Sequence, residues 1–166
     1  STVTSTRDIV LSSDRATAFL ANGDEGLIVV DVSNPSSPVT VGGLDVNPGN
    51  GSGSSRGIAL SSDDSTVFIA DSIGGVKIVD VQGGSYSIVG DIDTNGNAVG
   101  VALSPDSQTA FVADSVSVKI IDVSTPSLPS LISQVTTSAP YGIDVSPDGN
   151  TVYVADQLDG LCIIDI

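Results

Sequence analysis

One phrase recurs four times along this chain, which commits it to folding as four copies of one unit. In the second copy Gly57-Ile58-Ala59-Leu60-Ser61-Ser62-Asp63 leads to Val67-Phe68-Ile69-Ala70-Asp71 and then to Val76-Lys77-Ile78-Val79-Asp80. Matching phrases begin at positions 8, 57, 100 and 142, in steps of 49, 43 and 42 residues. The apolar runs are strand-length, rich in Val, Ile and Phe, and bounded by Ser, Asp, Gly and Pro. A period near 40–45 residues made of such runs is what a propeller blade leaves in a sequence, whereas helical repeats would show a 3.6-residue pattern.

Each copy spells four strands, placed in the second copy at Gly57–Leu60, Thr66–Ala70, 76–81 and 86–92. Ser-Asp-Asp-Ser, Ser-Pro-Asp-Ser or Ser-Pro-Asp-Gly joins the first two strands of later copies. Pro presets φ at the second position of such a turn, and Asp or Gly closes it. The predicted fold is all-β: a β-propeller of four four-stranded blades in one domain over residues 1–166, with repeats at approximately 7–55, 56–98, 99–140 and 141–166. Residues 47–55 read as a polar, Gly-rich surface loop. Gly57, Ala59, Gly100, Ala102 and Gly142 give the slim inner strands that a small ring needs near its axis.

The fourth copy stops on its third strand, and residues 1–6 align with Ser133-Gln134-Val135-Thr136-Thr137-Ser138, the end of an outer strand. The N-terminal strand is therefore expected to complete the last blade, with Val3 set against Leu161 and Ile163. Within one chain this pairing closes a ring, the favoured outcome because closing a loop costs less than immobilising a second molecule. Between chains it joins molecules by strand addition.

Hydrophobic residues make up 40% of the chain and the mean hydropathy is +0.30, enough for a packed domain. No apolar run is long enough to cross a bilayer, so no membrane insertion is expected. The chain starts at Ser1 with no leader of its own, as expected of a processed or excised piece. The net charge is −15, from 19 Asp and Glu25 against Arg7, Arg15, Arg56, Lys77 and Lys119. Such a field repels nucleic acid and anionic membranes, whose phosphates are bound by Lys and Arg.

Two segments resemble known repeats. Ser146-Pro147-Asp148-Gly149-Asn150-Thr151-Val152-Tyr153-Val154-Ala155-Asp156 resembles the YVTN-type β-propeller repeat, and Leu27-Ile28-Val29-Val30-Asp31-Val32-Ser33-Asn34-Pro35 resembles the LVIVD repeat. Both occur in cell-surface and secreted proteins of bacteria and archaea. The resemblance implies a propeller in an extracellular or cell-surface setting; it implies no particular activity, because propellers host many.

Catalytic constellations are mostly missing. The chain has no His, which excludes a Ser-His-Asp triad, a His-ligated zinc or an imidazole base. Cys162 is the only cysteine and reads as an inert strand residue, with an intermolecular bridge as the alternative. Asp91-Ile92-Asp93-Thr94-Asn95-Gly96 follows the alternating-oxygen pattern of a calcium loop. An ordinary turn is the first reading of Asp91, Asp93 and Asn95 and calcium the second; no other cofactor is indicated. Asp31, Asp80, Asp122 and Asp165 end third strands, where a carboxylate accepts turn N–H groups, and Asp71, Asp114 and Asp156 open hairpins by the same logic. Asp144 stands where other copies have Val10, Ala59 and Ala102, and Asp8 stands where they have Gly. With Arg7, Arg56 and Tyr141 these mark a candidate ligand patch near the axis.

The function expected from this reading is a non-catalytic extracellular module that assembles a surface layer, matrix or filament, or binds a protein partner or itself. The alternative is a small metal-dependent hydrolase of lactonase type, with carboxylates converging on the axis.

Overall fold

The computed structural model describes residues 5–48 and 53–166. Val3 and the middle of the Gly-rich insertion lie outside the described residues.

Four antiparallel sheets follow one another along the chain. Blade one comprises β1 (Asp8–Leu11), β2 (Thr17–Ala21), β3 (Leu27–Asp31) and β4 (Val39–Leu44). Blade two comprises β5 (Gly57–Leu60), β6 (Thr66–Ala70), β7 (Val76–Asp80) and β8 (Ser87–Ile92). Blade three comprises β9 (Ala98–Leu103), β10 (Thr109–Asp114), β11 (Ser117–Asp122) and β12 (Ser130–Thr136). Blade four has three described strands, β13 (Pro140–Val145), β14 (Thr151–Asp156) and β15 (Gly160–Asp165). The one helical element among the described residues is a 3-10 turn over Gln82–Gly84. The protein is thus an all-β propeller with one repeat phrase in each blade.

Strand alternation sorts each blade's side chains onto two faces. Val10, Phe19 and Val29 lie side by side across blade one, while Ile9, Leu20 and Ile28 lie side by side on its opposite face. The first set packs against Ile58, Val67, Ile69 and Val79 of blade two. Phe68, Ala70, Val76 and Ile78, on the far face of blade two, pack against Val101, Val112 and Ile121 of blade three. Phe111 and Val118 of blade three pack against Val152 and Val154 of blade four. The inner strands stand in the order β1, β5, β9 and β13, each against the next.

Three inter-blade cores are present among the described residues, and both end blades keep a bare apolar face. On blade one Ile9 is 56% and Leu11 45% exposed. On blade four Leu161 is 65% and Ile163 62% exposed, although their counterparts Leu27 and Val29 in blade one are 0% and 2% exposed. Closure of a small ring between blades four and one would bury both faces. The strand pairing expected to close the ring, Val3 against Leu161 and Ile163, falls outside the described residues; among those described, both faces are exposed.

The inner strands approach closely, as their glycines suggested. A Cβ on Gly57 would lie 2.8 Å from the Gly100 Cα, and one on Gly100 would lie 2.6 Å from the Tyr141 carbonyl oxygen. At Gly142 it would meet only the Ala155 Cβ, at 3.5 Å, since no inner strand among the described residues follows β13.

Candidate functional site

The turn between the first two strands of each blade is built by one repeated device. Ser12, Ser61, Ser104 and Ser146 each donate their hydroxyl to the carboxylate two residues on, at 2.6, 2.7, 2.6 and 2.5 Å. The same hydroxyls accept the backbone N–H of Thr17, Thr66, Thr109 and Thr151. The carboxylates of Asp14, Asp63, Asp106 and Asp148 then accept N–H groups from the far side of the turn. These bonds favour the ionised form, so all four carboxyls titrate below their ordinary range. Asp63, held by Ser61 and Ser65, falls to about 2.

The fourth turn residue is left-handed in every copy, with φ of 59° at Arg15, 59° at Asp64, 58° at Ser107 and 76° at Gly149. This residue reaches the turn of the preceding blade. Asp64 accepts the Ser13 N–H at 2.9 Å and Ser107 accepts the Ser62 N–H at 2.9 Å. At the next junction both partners change together: Pro105 has no N–H to donate, and Gly149 has no side chain to accept one.

Asp31, Asp80 and Asp122 accept the N–H two residues on, at 2.8, 2.9 and 2.9 Å, as expected for carboxylates ending third strands. A second ladder lies where each blade is entered. Asn22, Asp71, Asp114 and Asp156 share one register position and are all buried. Asn22 accepts the Ser5 N–H and the Thr6 hydroxyl; Asp156 accepts the Ser138 and Ala139 N–H groups as well as those of Leu158 and Asp159. Ser5 thus sits on blade one as Ser138 sits on blade four. Asp71 binds Asn47 and the Ser55 hydroxyl. Burial pushes the Asp71 carboxyl up despite these bonds, and burial pushes Asp114 up despite Lys119 at 3.8 Å.

These two groups of carboxylates predict a stability optimum in mild acid. The turn carboxylates have folded values below the unfolded value near 3.8, so their stabilisation is complete above it and fades as pH falls towards about 2, the value for Asp63. Asp71 and Asp114 are raised, so their ionisation opposes folding and that penalty is relieved as pH falls through their folded values. Urea midpoints are expected to rise as pH falls from neutral towards the unfolded value near 3.8, and to fall below it as the turn carboxylates protonate. Ser61→Ala should move the acid limb to higher pH, and an unchanged limb would contradict the role given to this turn.

The axial candidates are partly brought together. Arg7, Asp8, Arg56 and Tyr141 line one pocket of about 260 Å3 beside Gly100 and Gly142. Asp144 lies apart from that pocket, in an adjoining groove of about 440 Å3 that Asp8 also lines. Asp8 accepts the N–H of Ile9 at 2.9 Å and of Ile58 at 3.0 Å, stitching blade one to blade two. Asp144 accepts the Val145 N–H at 2.9 Å. Both axial carboxylates are thus engaged by backbone. Neither Arg7 nor Arg56 belongs to the two ion pairs found among the described residues, which join Lys77 to Asp91 and Lys119 to Asp114. The pocket offers guanidinium groups and the exposed Tyr141 ring, chemistry suited to a small anion.

Asp91 and Asp93 serve different neighbours. Asp91 lies in β8, 3.6 Å from the Lys77 ammonium, and Asp93 accepts the Asn95 N–H at 2.7 Å in a turn where Asn95 has φ of 59°. Millimolar calcium is expected to leave the melting temperature where magnesium leaves it. A calcium-specific rise that disappears in Asp93→Ala would place an ion at this turn.

Asp156, Asp159 and Cys162 also come close together at the entry to blade four. The Asp156 oxygens are taken up by four backbone N–H groups, and Asp159 accepts the Ser138 hydroxyl. Burial, with Asp156 and Asp159 alongside, pushes the Cys162 thiol up, which makes it a poor nucleophile.

Leu161 and Ile163, expected at a strand joint, lie on β15, which pairs only with β14 among the described strands. Sequence reasoning missed that their side chains belong to a whole bare face that includes Tyr153. The signal was available: Tyr153 takes the register of Phe19, Phe68 and Phe111, the only three phenylalanines, and is the one of the four with a polar atom.

Comparison with known proteins agrees with this architecture. A search among curated proteins found no match to the sequence. Solved structures match along almost the whole chain. A candidate 6-phosphogluconolactonase from Bacteroides uniformis matches at 15% identity and TM-score 0.83, over 96% of this chain and 50% of that one. A protein of unknown function from Desulfotomaculum acetoxidans matches at 22% identity and TM-score 0.68, over 98% and 55%. Hydrazine synthase from Kuenenia stuttgartiensis matches at 15% identity and TM-score 0.69, over 95% and 58%. At these identities the likeness is one of fold, and the chain spans between half and three-fifths of each structure's length. The LVIVD repeat model matches residues 5–46, 95–137 and 141–166, leaving out the second copy, which the structure nonetheless builds as an equivalent blade. Together these segments cover well over half of the sequence, and the chain belongs to the LVIVD repeat family.

Proposed function

We propose that this protein is a non-catalytic β-propeller module working outside the cell or at its surface, through protein contacts made by its end blades. The observation that carries this reading is the pair of bare apolar sheet faces on blades one and four, each of the kind that is buried at every internal junction. Exposed apolar patches of this sort mark interaction surfaces in soluble proteins. The backbone-engaged Asp8 and Asp144, and a chain without His, favour contact over chemistry. An acidic, lysine-poor surface suits a saline exterior and repels nucleic acid.

A lactone and an aryl ester, each offered with and without millimolar calcium, should show no hydrolysis above buffer. Turnover that is lost in Asp8→Asn or Asp144→Asn would overturn this reading in favour of a metal-dependent hydrolase.

A further inference from the structure

We infer that the partner of the two bare faces is a second copy of this chain, and that two copies close head-to-tail into one ring of eight blades. The inference rests on the proposal that the end blades act through protein contacts, and it names the partner. Its basis is that every junction among the described blades is the same interface repeated, and the exposed faces of blades one and four are its two halves.

The leading half carries an aromatic residue and two aliphatic ones. It is Phe19, Leu27 and Val29 in blade one, Phe68, Val76 and Ile78 in blade two, and Phe111, Val118 and Ile120 in blade three. The following half is Ile58, Leu60 and Ile69 in blade two, Val101, Leu103 and Val112 in blade three, and Ile143, Val145 and Val154 in blade four. Blade four exposes a leading half, Tyr153, Leu161 and Ile163. Blade one exposes Ile9 and Leu11 of a following half that the partly buried Leu20 completes. The two faces do not cover one another in this fold. A second copy presents both at once, and a two-fold axis through the ring then satisfies both junctions and leaves no further face for growth.

Two further features fit a second copy. Ring sizes of four to eight blades are the usual range, and two copies fall within it. Register also places Arg15 of one copy over the Pro147-Asp148 turn of the other, as Asp64 lies over Ser13 and Ser107 over Ser62. There a guanidinium would meet a carboxylate, in a molecule with only five cationic side chains.

Each copy carries −15, so association works against like-charge repulsion and should strengthen when salt screens it. A contact held mainly by ion pairs would weaken instead.

Sedimentation velocity and native mass spectrometry of the intact 166-residue chain provide the test, run at micromolar concentration from 50 mM to 500 mM salt. The expected result is a discrete species of two 16.6 kDa chains that becomes more abundant with salt. Leu161→Asp, on a side chain already 65% exposed, should return the protein to monomer with an unchanged urea midpoint at dilute concentration. Gly142→Val provides a second block that leaves the isolated fold intact, since nothing but the Ala155 Cβ lies near it. A chain that remains monomeric throughout, an open ladder of larger species, or a dimer indifferent to both substitutions would each overturn the inference. None of those outcomes bears on whether the protein hydrolyses a lactone or an ester, so the non-catalytic reading stands or falls separately.

Discussion

Replacing Phe68 by alanine is expected to destabilise the fold by about 3–5 kcal/mol, the range for truncating a buried aromatic residue in a packed core. Phe68 is 1% exposed and lies between blades two and three with Val101, Val112 and Ile121. The neighbouring backbones are locked into ladders on both sides, so the cavity cannot collapse cheaply. For a domain of this size the loss corresponds to a fall of roughly 10 °C in melting temperature. Phe111→Ala, also 1% exposed, should behave alike. Tyr153→Ala removes the same register position from blade four, where the ring is 41% exposed, and in dilute monomer should shift stability by no more than about 0.5 kcal/mol. Urea unfolding of the three variants, below the concentration at which copies associate, checks the contrast. Equal losses at Phe68 and Tyr153 would mean that blade four is covered within one chain after all.

Gly100→Val is expected to cost about 3 kcal/mol, the upper end of the range for overpacking. The added Cβ would lie 2.6 Å from the Tyr141 carbonyl oxygen, and the obstacle is backbone at the start of blade four rather than the end of a flexible side chain. Relief requires spreading β9 from β13, which opens the core around Phe111 and Val152. Gly57→Val meets the Gly100 Cα at 2.8 Å and should be similarly costly. Gly142→Val, the same repeat position without a following blade, should leave the isolated chain close to the native midpoint. Circular dichroism melts of the three variants would reveal the difference, and a loss at Gly142 as large as at Gly100 would contradict the account of these inner strands.

Much of the fold could be read from the repeat. The second copy was placed at Gly57–Leu60 and Thr66–Ala70, and β5 and β6 occupy those residues; its third and fourth strands end within a residue of β7 and β8. Local chemistry explains why. A Ser-x-Asp turn closes on its own Thr N–H within five residues, and a left-handed residue follows it in every copy, so hairpin boundaries are set by short-range hydrogen bonds. Side-chain alternation with period two then sorts the faces. The glycines of the inner strands were also legible as points of close approach.

The candidate site was legible only in part. Arg7, Arg56 and Tyr141 share a register just before or at the start of the inner strands and Asp8 is the next residue, so their convergence on one pocket followed from the repeat alone. Asp144 is two residues beyond Gly142, which carries it along the strand into the neighbouring groove. The Asp-x-Asp-x-Asn-Gly pattern could not reveal that Asp91 faces Lys77, because that pairing is set by the register of β7 against β8.

What the sequence by itself determined is the unit: four strands, their turns, and which side chains share a face, all governed by contacts within a few residues or between adjacent strands. What only the tertiary structure decided is how far four such units travel around an axis. That depends on the angle at each blade-to-blade junction, set by how Phe19, Phe68 and Phe111 pack against the aliphatic faces of the following blades, and small angles add from one junction to the next. A period of 42 or 43 residues is the same in a small closed ring and in an arc of a larger one. The exposure of Ile9, Leu11, Leu161 and Ile163 distinguishes the two, because burial is a property of distant strands meeting and leaves no mark on the spacing of a repeat.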